Sequence, residues 1–313
     1  MLAVSHKSKQ YGLIALKVLT LSLTFGYIYL KITQQETVSF SHFAATIEYE
    51  NGYYILFFLG LAATNWAFEI LKWKTVISPV KKLTFWEAAR QSLAALTVSL
   101  PTPNRIGDYG AKAYFFEVGK RKQVLLLNFF SNLSQMLITT VFGLYGLIYI
   151  AYNFGISFST INIIVGLCLL IFFGIMGYIF KEKQLLIKGL SLVKMNKFIK
   201  NLSTILKLKT LCYSLVRYLI FSSLFYLLLK FFGAGIALSE AMPIIFAMYL
   251  LVSVVPTIFI FDVVVRGGIA VWLFSLAEIP EWPILYTVTA MWLLNFVIPA
   301  IWGSFYVLTY RKP

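Results

Sequence analysis

Apolar residues fall in long blocks separated by short polar connections. Six blocks have the roughly 20 residues needed to cross about 30 Å of hydrocarbon as a helix: Tyr11–Leu30, Gly52–Leu71, Val124–Tyr149, Ile161–Phe180, Leu211–Phe231 and Ile284–Leu308. Two more, Phe85–Leu100 and Ala241–Val255, are too short and run into Pro101 and Pro256, with polar and glycine residues beyond. Each predicts a half-helix, a turn and a short helical return. The pattern predicts an all-α integral membrane protein, a single membrane domain over residues 1–313. It has six full transmembrane helices and two re-entrant helical hairpins, at 85–117 and 241–278.

Lys and Arg in the connections set the orientation, because cytoplasmic loops carry the positive excess. Lys7 and Lys9 place the N-terminus inside; Glu36, Glu48 and Glu50 mark the next connection as outside. Lys72, Lys74, Lys81 and Lys82 bring the chain back, and Lys120, Arg121 and Lys122 follow the first short block on that same side. The first hairpin therefore enters and leaves from the cytoplasm. The second, flanked by Glu240, Glu278 and Glu281, enters from outside, and Arg311 with Lys312 returns the C-terminus to the cytoplasm. Residues 11–150 and 160–309 then form two repeats of opposite orientation, the plan of secondary transporters whose broken helices meet near the midplane.

Between the repeats, residues 181–209 carry eight lysines against Glu182. Met195, Phe198, Ile199, Leu202, Ile205 and Leu206 share one helical face, with Lys194, Lys197 and Lys200 largely opposite. This segment predicts an amphipathic basic helix on the cytoplasmic leaflet, drawn to anionic headgroups at roughly 1 kcal/mol per basic residue; a lysine-rich linker serving orientation alone fits it equally.

Composition agrees with a membrane domain. Hydrophobic residues make up 60% of the chain, charged residues 12%, and mean hydropathy is +0.82. The 27 Lys+Arg against 12 Asp+Glu sit mainly in the short connections, so they report orientation and point away from nucleic acid. Cys168 and Cys212 lie within apolar blocks, and His6 and His42 have no ligand spacing, so neither disulfide, metal nor cofactor is expected. The first block is longer than a signal-peptide core and lacks a small-residue cleavage site, so it is expected to remain as an anchor.

The hairpins hold the candidate chemistry. Irregular backbone at membrane depth survives only when packed in protein or lining a wet cavity. Arg105 and Asp108 in the first hairpin, and Asp262 and Arg266 in the second, would each cost about 2.5–3.5 kcal/mol at a helix centre. Together that is on the order of 10 kcal/mol, comparable to a domain's net stability of about 5–15 kcal/mol. They must be paired, hydrated or both. One reading is that each pair closes its own hairpin. The other is that both tips open onto one aqueous cavity, where arginines grip a phosphate bidentately and Gly107, Gly267 and Gly268 let a ligand approach the N-termini of the return helices. Asn128, Ser131, Asn132 and Gln135 recur as a polar stripe on the third crossing, and Asn65 with Glu69 forms an i, i+4 pair on the second. Interhelical hydrogen bonds and a substrate path explain these equally well. Arg217 and Asn295 stand isolated, Arg217 near enough to its helix start to snorkel to the interface.

Pro101-Thr-Pro-Asn-Arg105-Ile-Gly107-Asp108 resembles the P-x-R-x-G-E signature of the lysylphosphatidylglycerol synthase transmembrane-region family, which includes the flippase half of multiple peptide resistance factors. Val265-Arg266-Gly267-Gly268 resembles its second signature, G-V-R-E-G. Pro103, Arg105, Gly107 and Asp108 match the first, with Asp for Glu; Arg266 and Gly268 match the second, with Gly267 at the usual glutamate position. Asp262, one turn earlier, stands nearest to a replacement. The resemblance implies movement of a phospholipid or lipid-linked headgroup, with membrane lipids of anionic or phosphate-bearing type as partners; the lack of a cleavable leader and the small size suggest a bacterial cytoplasmic membrane. Aminoacyl transfer belongs to a separate soluble domain in fused members and is not expected of this chain. No Walker motif is present, so transport would be downhill or gradient-coupled. Two other classes remain open: a membrane-embedded enzyme or accessory protein acting on polyprenyl-phosphate-linked substrates, and a small-solute secondary transporter. Neither hairpin has a nearby histidine or a nucleophile–base pair, which disfavours the enzyme.

Overall fold

The computed structural model describes residues 52–102, 105–155, 191–255 and 261–310, with Ser22 alone of the first apolar block and only the backbone at 261–264. The expected crossings Tyr11–Leu30 and Ile161–Phe180, together with Pro103, Pro256 and residues 181–190, lie outside the described residues. Within them the chain is all helix and coil. In order come α1 (Gly52–Val76), α2 (Phe85–Ser99), α3 (Gly107–Tyr114), α4 (Arg121–Asn153), α5 (Leu192–Asn201), α6 (Thr204–Phe231), α7 (Leu238–Val254), α8 (Phe261–Ser275), α9 (Glu281–Trp292) and α10 (Ile298–Leu308).

Among the described residues, four helices are long and apolar enough to cross a bilayer: Gly52–Val76, Val118–Asn153, Thr204–Phe231 and Glu281–Leu308. They coincide with four of the six expected crossings. Their outer faces suit lipid: on α4, Leu133, Leu137, Val141, Leu144 and Ile148 are all exposed and follow one helical stripe. Polar side chains turn inward instead, Asn65, Lys72, Lys112, Asn128 and Asn295 among them. The protein is a multi-pass membrane protein.

Each short helix has a local cause. A capping box starts α2: Thr84 Oγ1 accepts the Glu87 N–H at 3.2 Å, and Glu87 Oε2 accepts the Thr84 N–H at 2.7 Å. Leu100 is the last residue whose N–H joins the helical ladder, reaching the Leu96 carbonyl; Pro101 has no N–H to continue it. Thr102 then ties the turn, donating to the Ser99 carbonyl at 2.7 Å and accepting the Gly107 N–H at 2.9 Å. In the last crossing, Leu293–Val297 is a π-helical turn joining α9 to α10. Pro299 has no N–H to return to the Asn295 carbonyl, and such a loss loosens the ladder. The Trp66 indole N–H takes that carbonyl at 3.2 Å.

The two hairpins pack crosswise. Helix α2 lies against α10 and α7 against α4, while the returns α3 and α8 lie against α4 and α9; α1 pairs with α6. Glycine permits the close approaches. A Cβ on Gly303 would collide with the Leu93 carbonyl and Thr97 Oγ1 of α2, and one on Gly146 with the Pro243 carbonyl and Ala247 amide of α7. Thr97 Oγ1 uses the proximity to donate to the Ala300 carbonyl at 3.0 Å. Small residues that let backbones meet are the usual glue between membrane helices, where lipid removes the hydrophobic drive.

The basic segment differs from expectation. Ser203 accepts the Leu206 N–H and caps a new helix, so the apolar face read from Met195 to Leu206 is split between α5 and α6. Phe198 and Leu202 pack on the cluster around Ile70, Trp73, Val124 and Leu127, and Met195 is buried, whereas Leu192 and Val193 stay exposed. The face of α5 that carries Met195 and Phe198 is therefore turned to protein, and Lys194, Lys197 and Lys200 are exposed.

Gly303→Ala is expected to lower stability by about 1–3 kcal/mol, the usual cost of overpacking, whereas Gly60→Ala, with nothing within 4 Å of the added methyl, leaves it unchanged or raised. Thermal unfolding of both variants in detergent checks this.

Candidate functional site

A layer of polar side chains crosses the middle of the helices. Asn65, Gln135, Arg217 and Asn295 sit close to the midpoints of α1, α4, α6 and the continuous α9–α10 helix. Asn65 Nδ2 donates to Asn295 Oδ1 at 2.8 Å. Arg217 bridges the rest: its Nε is 3.3 Å from Glu69 Oε2, and its Nη1 donates to Gln135 Oε1 at 3.3 Å. Glu69 also pairs with Lys72 at 2.7 Å, one turn along α1, and Lys72 is only 1% exposed.

A second cluster lies beside it. Asp108, in the first turn of α3, pairs with Lys112 at 3.2 Å and accepts from Asn128 Nδ2 at 2.7 Å; Lys112 in turn donates to Asn128 Oδ1 at 3.1 Å. The Lys112 ammonium stands 4.7 Å from the centre of the Trp73 ring, whose indole N–H donates to Gln91 at 2.9 Å.

Arg105 occupies the tip of the first hairpin with φ of 55°, in the left-handed region that non-glycine residues seldom adopt. Its guanidinium carbon lies 4.0 Å over the Phe296 ring, which the π-helical turn presents. Such strain, about 1–3 kcal/mol, persists where surrounding structure holds it and clusters at ligand clamps.

Two cavities adjoin at this point. One, of about 310 Å³, is lined by Glu69, Lys72, Arg105, Asp108, Lys112 and Arg217 among others. The other, of about 320 Å³, is lined by Asn65, Arg105, Gln135, Arg217, Tyr249 and Arg266 among others. Arg105, Gln135, Arg217 and Phe296 belong to both.

Of the residues singled out in the sequence, Arg105, Asp108, Asn132 and Gln135 line the first cavity, and Arg105, Gln135 and Arg266 the second. Asn128 stands behind the wall, fully buried, holding Asp108 and Lys112. Gly107 serves the turn: a Cβ there would lie 3.0 Å from Ser99 Cα and the Val98 carbonyl, and its N–H is taken by Thr102. Gly267 and Gly268 fall in the middle of α8 and not at its start, because the apolar residues from Phe261 onward already form the first turns. Asp262 lies in the first turn of α8; its side chain is outside the described residues.

Four contributors escape the sequence reading. Lys72 counts there only toward orientation, and Lys112 goes unnoticed beside Asp108, although the i, i+3 spacing from Glu69 and the i, i+4 spacing from Asp108 are both visible. Arg217 falls near an interface when its helix is started at Leu211; α6 starts at Thr204, which carries Arg217 to mid-helix. Asn295 meets Asn65 across 230 residues, a pairing no local spacing reveals.

The family model described as Lysylphosphatidylglycerol synthase TM region matches residues 14–303. The chain belongs to this family. No curated protein and no solved structure matches it. Membership of the lysylphosphatidylglycerol synthase TM family agrees with the apolar helices and identifies the chain as a membrane domain of that type.

Glu69→Ala leaves Lys72 and Arg217 without their shared carboxylate. Breaking a buried pair in this way is expected to cost about 3–5 kcal/mol. Lys72→Met together with Glu69→Met should recover much of the loss, as the melting temperatures of the single and double variants will report.

Proposed function

We propose that this chain is a lipid translocase of the flippase or scramblase type, moving a phospholipid or lipid-linked headgroup between leaflets through the polar cavity between its hairpins. The observation that carries this reading is that Arg105 and Arg266, one from each hairpin, line the same cavity. Two guanidiniums on one cavity suit a phosphate, which accepts from each in a planar, bidentate geometry. The acyl chains stay in the bilayer while the headgroup crosses.

Further features support it. The polar layer at the helix midpoints supports a cavity at the depth where a bilayer is most hostile to a headgroup and where transporters keep their binding sites. The crosswise packing, α2 on α10 and α7 on α4, gives each hairpin the same relation to the opposite half. On this reading both hairpins are re-entrant, the halves are inverted repeats, and the protein resides in a bacterial cytoplasmic membrane with both termini inside. The excess of Lys and Arg at Lys81, Lys82, Lys120, Arg121 and Lys122 supports that orientation.

Purified protein in liposomes is expected to accelerate leaflet exchange of a labelled phospholipid. Arg105→Ala and Arg266→Ala should each slow it by about tenfold or more, the effect of losing one charge-assisted contact, with melting temperature within a few degrees of wild type. Equal rates in wild type and both variants would remove the arginines from the transport path.

A further inference from the structure

The two adjoining cavities hold more positive than negative charge, and the whole sequence limits how far this can be balanced. Among the described residues Lys72, Arg105, Lys112, Arg217 and Arg266 line them, against Glu69 and Asp108. Both carboxylates are already engaged, Glu69 with Lys72 and Arg217, Asp108 with Lys112 and Asn128.

The remaining acids of the chain can be accounted for one by one. Glu87, Glu117, Glu240, Glu278 and Glu281 stand at or beyond helix ends and line neither cavity. Glu36, Glu48, Glu50 and Glu182 fall outside the apolar blocks, and neither Tyr11–Leu30 nor Ile161–Phe180 contains an acid. Asp262 alone is left. Among the described side chains five cations line the cavities against two carboxylates, and setting this one further acid of the sequence against them in full leaves an excess of two positive charges.

Such an excess, kept among low-dielectric walls, focuses a field that selects an anion by its charge. A phosphodiester brings one negative charge, whereas a phosphate monoester carries about 1.5 to 2 at neutral pH. Arg105 and Arg217 belong to both cavities, so an anion passing from one to the other keeps two guanidiniums throughout. Each cavity has roughly the volume of ten water molecules at about 30 Å³ each, room for a phosphate with part of its hydration.

We infer that the headgroup these cavities accept is doubly negative: a lipid bearing a phosphate monoester or a diphosphate, in preference to a phosphodiester or to a lipid with an amino group on its head. This rests on the translocase reading and narrows it. A lysyl headgroup would add positive charge to a cavity already rich in it.

The test uses the full chain purified in detergent, with ligand-induced rise in melting temperature as the readout. The probes are short-chain phosphatidate, phosphatidylglycerol, lysylphosphatidylglycerol and inorganic phosphate. Phosphatidate is expected to half-saturate at a concentration about tenfold below phosphatidylglycerol, and the lysylated lipid to give no shift. Asn132→Asp places one negative charge in the first cavity with almost no change of shape. It should shrink the phosphatidate-to-phosphatidylglycerol ratio toward one, whereas a merely structural disturbance weakens both lipids alike and leaves the ratio intact.

Equal half-saturation by the two lipids in the wild type, or tighter binding of the lysylated one, would overturn the charge match. So would an unchanged ratio in Asn132→Asp. Inorganic phosphate acting at the same concentration as phosphatidate would overturn the lipid as the source of the anion. Liposomes separate the two proposals: leaflet exchange without preference for the monoester sinks this inference and leaves the translocase standing, while exchange of no lipid sinks both.

Discussion

An ionised group midway along a membrane-crossing helix must find a partner or water, and that requirement organises the interior of this protein. Arg217 is the clearest case. From the middle of α6 it reaches Glu69 on α1 and Gln135 on α4, so one guanidinium ties three crossings at a single level. Lys72 and Lys112 obey the same rule, each within one turn of a carboxylate on its own helix. Among the described residues that line the cavities, bases outnumber acids. What remains is a cavity with a sign.

Holding that cavity open requires helices to meet closely elsewhere. Gly303 and Gly146 bring α10 onto α2 and α4 onto α7 at backbone contact, so each of these two short helices is clamped by a membrane-length helix distant in sequence. Dispersion and short carbonyl contacts do this work, since burying apolar side chains gains little where lipid is the alternative. The rigid contacts lie outside the charged layer. Thus the packing that stabilises the bundle and the polarity of the cavities are carried by different residues.

Much of this is legible in the sequence, and what is not has a physical reason. Block length marks four membrane-length helices and the short helices α2 and α7, because apolar runs and prolines act locally. Arg105, Asp108 and Arg266 stand out by the cost of charge at depth, which needs no partner to be known, and all three line the cavities. Lys72 misleads because a lysine at a helix end serves orientation in most membrane proteins; only burial distinguishes the two roles. Arg217 turns on a helix boundary, and Ser203, a cap residue in a polar stretch, moves that boundary well upstream of Leu211. Asn65 with Asn295 depends on tertiary packing alone.

Arg105 and Phe296 show how two local faults combine into one feature. The hairpin tip holds Arg105 in a left-handed conformation, and Pro299 loosens the opposite crossing into a π-helical turn. Separately each irregularity weakens its own segment. Together they set a guanidinium 4.0 Å over an aromatic face at the junction of two cavities, a contact worth up to about 2 kcal/mol when desolvated. That is the same order as the backbone strain at Arg105, about 1–3 kcal/mol. The stack is therefore strong enough to hold the arginine in position and weak enough for a phosphate, offering full charge in place of a ring quadrupole, to draw it away. On the proposed translocase reading, a residue balanced in this way would meet a headgroup in one cavity and release it in the next without the hairpin itself unfolding.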